Sequence, residues 1–168
     1  GVVAVDACSR LGLEVPELDS ETSLKLMQYL PKHAPLPRNP VDFAAGYRTA
    51  IDEARVVETL MQLDYIDAVI SNVPINPQVW GTRYDRNGNP EKVSEMDEIA
   101  MTGAKMFAGL PKKYGKPAVC VRWYSDVRKD PVGKFLMENG VPIYESPEQC
   151  ARALYGLAQY GRVLKRDL

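Results

Sequence analysis

The stretch "DAVISNV", residues 67–73, is a near-continuous apolar run of the length of a β-strand. A second run of the same kind, "PAVCVRWY", covers residues 117–124. Strands that are apolar along their whole length, rather than at every second position, are typical of parallel sheets that are covered on both faces. The two runs therefore predict the buried strands of a parallel sheet.

Helical patterns alternate with these strands. The chain opens on apolar residues at helical spacing up to Gly12, which offers a C-terminal stop. Thr49 and Asp52 have capping-box spacing before another helix, and Asp130 with Pro131 opens a third. Further elements are a helix over about 93–110, a short strand "PIYE" at 142–145 and a helix after Ser146. This alternation predicts an α/β fold: a flavodoxin-like, doubly wound, mostly parallel sheet with helices on both faces.

Two more short strands are expected near the start of the chain. "LEVPEL", residues 13–18, is an apolar stretch that could form an edge strand ended by Pro16. "PVDF", residues 40–43, could form a brief strand after the proline-rich connector. Both assignments are expectations from apolar content and strand length.

The segment "PRNPVDF", residues 37–43, combines stiffness with polar side chains. Its two prolines fix φ and push the preceding residues out of the helical region. Asn39 and Asp42 are residue types that bond backbone N–H groups in turns and caps, and they can also contact a ligand. Asn39 and Asp42 could thus fix a turn or contact a ligand, and both alternatives stay open. The stiff segment would position the turn that follows it, through Gly46.

Length, charge and cysteine content narrow the class of protein. The 168 residues are 45% hydrophobic, which is typical of a single domain with its own core. A net charge of -1 does not indicate a positively charged surface of the kind that binds nucleic acid or an anionic membrane. Cys8, Cys120 and Cys150 are widely spaced and form no CxxC pair, so buried reduced thiols in a cytoplasmic protein are expected.

Signatures of several enzyme classes are missing from the sequence. His33, the single histidine, lies in the proline-rich connector without neighbours at metal-ligand spacing, so an exposed or capping role is favoured over catalysis. The phosphate-loop patterns GxGxxG and GxxxxGK[ST] do not occur. Hydrolase, zinc and self-contained nucleotide-binding chemistry are therefore disfavoured.

Four stretches together carry a family resemblance: "LPRNPVDF", "YIDAVISNVPI", "KPAVCVRW" and "GVPIYESPEQCARAL". The chain resembles the C-terminal flavodoxin-like ligase domain of NDP-forming acyl-CoA synthetases, and it is similar in kind to the carboxyl domain of the succinyl-CoA synthetase β subunit. The resemblance covers nearly the whole chain. Its most specific pieces are Asn39-Pro40-Val41-Asp42 and Gly140-Val141-Pro142-Ile143-Tyr144.

The resemblance implies a reaction and a set of partners. The family converts acyl-CoA, NDP and phosphate to acid, NTP and CoA through a phosphohistidine on a neighbouring domain, and His33 does not match that histidine. No cofactor is expected on this domain alone; CoA, ADP or ATP and Mg belong to the full enzyme, with its CoA-binding and ATP-grasp domains or subunits. Residues 1–168 would be one domain, a fragment of a longer chain, with a loop-plus-helix insert at 76–115.

The resemblance and the fold also imply where substrate binds. In the family a glycine-rich loop precedes the helix that starts here at Gly1, and a second helix N-terminus follows "DAVISNV". This chain departs there, with Ile75-Asn76-Pro77-Gln78 in place of a glycine pair. Side-chain amides can donate to a carboxylate or phosphoryl oxygen, and a helical turn starting near Pro77 would favour an anion. The expected substrate- and phosphate-binding residues are Gly1, Asn39, Asp42, Gly46, Asn72, Asn76, Pro77 and Gln78, with no catalytic residue and no metal ligand.

Two alternatives stay open. The prolines after Asn72 could simply stiffen a loop that leads to the insert. The domain as a whole could be a non-catalytic binding or assembly module that kept the fold and lost the glycine loop.

Overall fold

The computed structural model describes residues 1–44, 49–72, 95–122 and 130–166. Its sheet has three strands, β1 Val69–Asn72, β2 Ala118–Val121 and β3 Ile143–Tyr144, in the spatial order β1-β2-β3. Both strand pairs are parallel: Asn72 lies opposite Val121, and Cys120 lies opposite Ile143. The three strands predicted from the apolar runs and from "PIYE" are confirmed.

Within the described ranges, six α-helices pack around this sheet and on one another, and side-chain caps hold the starts of several of them. Asp19 accepts a hydrogen bond from the backbone N–H of Thr22 at 2.8 Å. Thr49 and Asp52 form a reciprocal capping box. The helices are α1 Val2–Arg10, α2 Ser20–Leu26 with a 3₁₀ turn Met27–Tyr29, α3 Ala50–Met61, α4 Glu95–Tyr114, α5 Pro131–Glu138 and α6 Pro147–Arg166.

Helices cover both faces of the sheet, as the doubly wound prediction requires. On one face, Cys120 of β2 packs in a cluster with Val57 of α3, Phe107 of α4 and Leu136 of α5. On the other face, the valines of β2 pack against Cys150 and Leu154 of α6. The four residues of β2 are all buried, so the central strand is covered from both sides.

The strands predicted at residues 13–18 and 40–43 are wrong. Neither segment forms a strand in the structure. Each contains a proline, Pro16 or Pro40, which has no N–H to donate to a strand ladder. The two segments are joined instead by a side chain, because the Asn39 amide nitrogen donates to the Pro16 carbonyl at 3.0 Å.

Helix α4 belongs to the main core. Ala100, Ala104, Phe107 and Leu110 are buried in the same cluster as the core side of α3. This helix forms the second part of the segment 76–115 that the sequence predicts to be an insert, so its helical part contributes core packing. The extent of the insert, and the treatment of 1–168 as one domain, stay predictions.

Helices α3 and α4 approach each other closely at Gly103. A methyl group on the Gly103 Cα would lie 2.4 Å from the carbonyl carbon and oxygen of Ala50, the first residue of α3. Gly109, two turns later in α4, has no atom within 4 Å of the same position. The crossing therefore requires glycine at 103 and tolerates a side chain at 109.

Glu53 lies in the first turn of α3, one residue after the capping box. Its Oε2 atom is buried and has no hydrogen-bond partner within the described ranges. Burial first, and then the neighbouring charge of Asp52, raise the pKa of the Glu53 carboxyl to about 7. A carboxyl in this environment holds its proton at mildly acidic pH.

We expect Gly103→Ala to destabilise the fold by about 2–4 kcal/mol, because the backbone of Ala50 cannot move away without separating two packed helices. Gly109→Ala is the matched control in the same helix and should stabilise by up to about 1 kcal/mol, since alanine is the better helix former. Urea unfolding of both variants measures the difference. Equal effects at the two positions would contradict the close approach.

Glu53→Gln should change the pH dependence of stability. The folded-state pKa of Glu53, about 7, lies above its ordinary value of 4.5, so the protonated form stabilises the fold at low pH and this contribution is lost as pH rises through 7. The Gln variant cannot ionise. Between pH 5 and pH 8 the wild type should therefore lose on the order of 2 kcal/mol relative to Glu53→Gln.

Unfolding free energies at the two pH values test this expectation. Glu17→Gln, at an exposed carboxylate, is the control for replacing a glutamate by glutamine. A difference between Glu53→Gln and the wild type that does not change with pH would show that the Glu53 carboxyl is not desolvated.

Candidate functional site

The carboxyl ends of the parallel strands meet at one edge of the sheet, where ligands bind in folds of this type. Asn72 is the last residue of β1 and is exposed. In the part of the chain that the structure covers, no hydrogen bond involves its side chain. Its predicted contact with a ligand at this edge stays a prediction.

Arg122 follows the central strand at the same edge. Its backbone N–H donates to the carbonyl of Tyr144 at 2.9 Å, which continues the pairing of β2 with β3. Its guanidinium forms an ion pair with Asp130, and the exposed fractions of the two side chains are 9% and 1%. A buried positive charge thus lies directly after the strand that is covered on both sides.

Asp130 links this arginine to α5. Its carboxylate accepts hydrogen bonds from the backbone N–H groups of Val132 at 3.2 Å and Gly133 at 2.9 Å, in addition to the contact from Arg122. Because one carboxylate caps the helix and pairs with the arginine, the orientation of Arg122 depends on where α5 begins. The pair fixes the strand end and the helix start relative to each other.

Sequence reasoning missed Arg122 and assigned Asp130 only a helix-starting role. A signal was present: a charged residue follows directly after a run that is apolar at every position. A charge at the end of a buried strand must find a partner, and an acidic residue before a helix is a frequent one. The pattern does not identify which acidic residue that is.

Side-chain alternation places Arg122 on the same sheet face as Cys120, toward α3, α4 and α5. The Cys120 thiol is fully buried there. Burial, with smaller effects of Cys150 and Glu53, raises the pKa of Cys120 far above its ordinary value. Burial likewise raises the pKa of Cys150 to about 12. All three cysteines are free and buried, as predicted, and thiols in this state are poor nucleophiles.

The proline segment lies against the first turn of α1. A methyl group on Gly1 would come within 3.1 Å of Cβ and Cγ of Pro40. Gly1 is the N-cap of α1 and offers no side chain to its first N–H groups. The structure therefore brings Gly1 and the stretch around Asn39 to one surface.

Asn39 and Asp42 both make turn-fixing contacts. Besides the bond from Asn39 to Pro16, the Asp42 carboxylate accepts from the backbone N–H of Ala44 at 2.8 Å. The φ of Ala44 is 51°, a left-handed conformation that this local bond supports. A ligand contact by either residue is not excluded by these bonds and stays a prediction.

A surface groove of about 380 Å³ lies along this segment. His33 is exposed nearby, and its Nε2 lies 3.1 Å from the carbonyl oxygen of Ala44, in agreement with the expected exposed or capping role. The groove is lined by Pro35, Leu36, Pro37, Arg38, Pro40 and Asp42.

The eight predicted binding residues thus divide into three sets. Gly1, Asn39 and Asp42 belong to the surface around the proline segment, and Asn72 belongs to the sheet edge. No hydrogen bond of the described residues joins these two places. The other four, Gly46, Asn76, Pro77 and Gln78, lie outside the described residues.

The described ranges contain no group of three or more histidine, cysteine, aspartate or glutamate side chains that could hold a metal ion. They also contain no helix that is both long and apolar enough to cross a membrane.

No protein-family model matches the chain. It is 28% identical over 164 residues to the α subunit of an ADP-forming acetate–CoA ligase II from Pyrococcus furiosus, covering 96% of this chain and 32% of that protein. It is 23% identical over 167 residues to an ADP-forming acetate–CoA ligase I from Archaeoglobus fulgidus, covering 99% of this chain and 20% of that protein.

A solved structure shares the fold. The crystal structure of PH0766 from Pyrococcus horikoshii OT3 matches 92% of this chain and 32% of its own length, with a TM-score of 0.61 and 22% identity. The chain thus spans about a third and a fifth of the ligases that it matches. It is similar, over nearly its whole length, to one segment of ADP-forming acetate–CoA ligases.

Proposed function

We propose that this chain is the flavodoxin-like domain of an ADP-forming acyl-CoA synthetase. The reaction would be acyl-CoA plus ADP plus phosphate to acid plus ATP plus CoA, reversibly, through a phosphohistidine on another domain. The observation that carries the proposal is the similarity to two ADP-forming acetate–CoA ligases over 96% and 99% of the chain.

The domain's part in this reaction would be binding rather than bond making. Within the described ranges the thiols are buried, and His33 is exposed and contacts the turn at Ala44. CoA, ADP or ATP and Mg would be held by CoA-binding and ATP-grasp domains or subunits of the same enzyme. This chain would supply a surface against which the acyl substrate or the phosphohistidine loop is placed.

The residues at the sheet edge suit an anionic group. Acyl carboxylates and phosphoryl groups both present oxygen acceptors, and the Asn72 amide is a neutral donor at the end of β1. Arg122 lies at the neighbouring strand end, where its charge is paired with the Asp130 carboxylate, so the amide of Asn72 is the group that would contact the anion. Asn76, Pro77 and Gln78, which follow Asn72 in sequence, would extend this surface.

The residues around the proline segment would have a separate role in the reaction. Gly1 leaves the first N–H groups of α1 without a side-chain cap, and such groups favour negative charge. Asn39 and Asp42 would hold the turn toward Gly46 in place. The 1–168 unit would act as one domain of a longer chain, with the segment 76–115 inserted between β1 and β2.

One feature favours the alternative, a non-catalytic binding or assembly module. The chain has Ile75-Asn76-Pro77-Gln78 where the family has a glycine pair, and side chains there reduce the close approach of a phosphate to the backbone. A module of this kind would keep its partners without supporting turnover.

The 168 residues alone should form no ATP from acetyl-CoA, ADP and phosphate, because they lack a nucleophile and a nucleotide clamp. The natural full-length protein should form it in the same coupled assay. An inactive full-length protein that still binds its partner domains would support the non-catalytic module. ATP formation by the 168 residues alone would contradict the proposal that other domains supply the nucleophile and bind the nucleotide.

Asn72→Ala in the full-length enzyme should lower kcat/KM for acyl-CoA or phosphate about 10- to 100-fold, the loss expected for one hydrogen bond to a charged group. Its melting temperature should stay unchanged, since the side chain is exposed and makes no hydrogen bond to any other described residue. Asn139→Ala, at the exposed asparagine that ends α5, is the control and should keep wild-type kinetics. If Asn72→Ala and Asn76→Ala both keep wild-type kinetics, the segment 72–78 is not part of the binding site.

A further inference from the structure

Glu53 is an acid at the edge of the main core. It lies beside the core-facing stripe of α3, at helical spacing from Val57 and Leu60, which both pack in the main cluster. Its Oε2 atom is buried and has no hydrogen-bond partner among the described residues. Buried polar atoms of folded proteins nearly always have a partner, so this exception requires a physical explanation.

The carboxyl fits this environment better in its neutral form than in its ionised form. A carboxylate that leaves water needs a counter-charge or several hydrogen-bond donors, whereas a carboxylic acid needs fewer partners. The ion pairs of the described residues do not include Glu53. Burial, followed by the charge of Asp52, accordingly raises the pKa of Glu53 to about 7.

The described groups around Glu53 do not compensate a negative charge there. Asp52, on the same helix, adds a second negative charge, and Cys120 faces Glu53 from β2, since Glu53 raises the pKa of that thiol. Arg122 follows β2 and is paired with Asp130. The buried side chains that β1, α4 and α5 add to the cluster do not titrate: Val69, Ala100, Ala104, Phe107, Leu110, Val132 and Leu136.

The first turn of α3 is held chiefly by its cap and by Ala50. The Thr49 hydroxyl accepts a hydrogen bond from the backbone N–H of Asp52 at 3.1 Å, and the Thr49 carbonyl accepts one from the N–H of Glu53 at 3.1 Å. Ala50 lies against Gly103 of α4. These contacts are the ones that oppose the release of an ionised Glu53 into water.

The following turns of α3 are anchored more firmly. Ala54, Val57 and Met61 are 1%, 4% and 1% exposed and lie in the main cluster. Helix ends open at a lower free energy than turns that are buried in a core. Opening of residues 49–53 alone would bring the Glu53 carboxyl into water while the rest of the helix stays in place.

We propose that the first turn of α3, residues 49–53, is a pH-sensitive switch. The turn stays packed on α4 while the Glu53 carboxyl is protonated, and ionisation of this carboxyl opens the turn. Residues 62–68 lead from the end of α3 to the start of β1, so the first turn of α3 lies toward the other end of β1, which is the carboxyl edge of the sheet. The switch is thus located at the end of the domain that carries Asn72.

The direction of the switch follows from the two states of the carboxyl. In the open turn Glu53 is in water, where its pKa has the ordinary value of 4.5, and in the closed turn its pKa is about 7. Between these values opening releases a proton. The equilibrium constant for opening should therefore rise about 50-fold between about pH 5 and pH 7.5 and change little at higher pH.

Amide hydrogen exchange of the intact protein, resolved to single residues, measures this opening. Exchange rates of the Asp52 and Glu53 amides, divided by their intrinsic rates at each pH, should rise about 50-fold between about pH 5 and pH 7.5. They should be insensitive to about 1 M urea, because one turn exposes little surface when it opens. The amides of Val57 and Met61 should exchange more slowly and with a clear urea dependence.

Two variants separate the carboxyl from the cap. Glu53→Gln cannot ionise, so the corrected exchange of its first turn should not vary with pH. Thr49→Ala removes the cap, so its first turn should open about 5- to 10-fold more at each pH and keep the pH dependence of the wild type. Circular dichroism and thermal melts establish that both variants are folded.

Three results would overturn the proposal. One is an opening of the first turn that does not change with pH in the wild type. A second is a pH dependence that persists in Glu53→Gln. The third is exchange of Asp52 and Glu53 at the rate and with the urea dependence of Val57, which would assign the ionisation of Glu53 to unfolding of the whole domain instead of a local opening.

Discussion

The close contact between Ala50 and Gly103 determines how the helical layer covers the sheet. With no side chain at 103, the first residue of α3 rests directly on the backbone of α4. The two helices then bury Ala54, Val57, Ala104 and Phe107 in one cluster with Cys120 of the central strand. Any increase in this separation would open the cluster in which the α3 and α4 side chains cover Cys120.

The polar groups at the sheet edge depend on that packing. Glu53 lies in the first turn of α3, so the packing of α3 determines how completely its carboxyl is removed from water. This burial raises the pKa of Glu53 to about 7. Arg122 is held on the same face by the carboxylate that caps α5. The two helix starts and the strand end are thus fixed by packing, while the Asn72 amide at the neighbouring strand end makes no hydrogen bond within the described part of the chain.

Local sequence predicted the elements that local chemistry determines. The apolar run before Asn72 became β1, and the Thr49–Asp52 pair became a capping box, because each depends on a few adjacent residues. The segments 13–18 and 40–43 have strand-like composition, but their prolines cannot join a ladder. Their contact through Asn39 and Pro16 joins residues 23 apart in sequence, and a pattern of neighbouring residues carries no information about such a contact.

The residues of the candidate site could be proposed from the sequence only in part, again because patterns of neighbouring residues carry no information about distant contacts. Asn72 could be proposed because the end of an apolar strand is visible in sequence and ligands bind at that edge in folds of this type; its role stays a prediction. Arg122 could not be assigned, because its importance comes from pairing with Asp130, 8 residues later, and from the sheet face it shares with Cys120. The turn-fixing contacts of Asn39 and Asp42 could only be weighed against ligand contact until their partners were known.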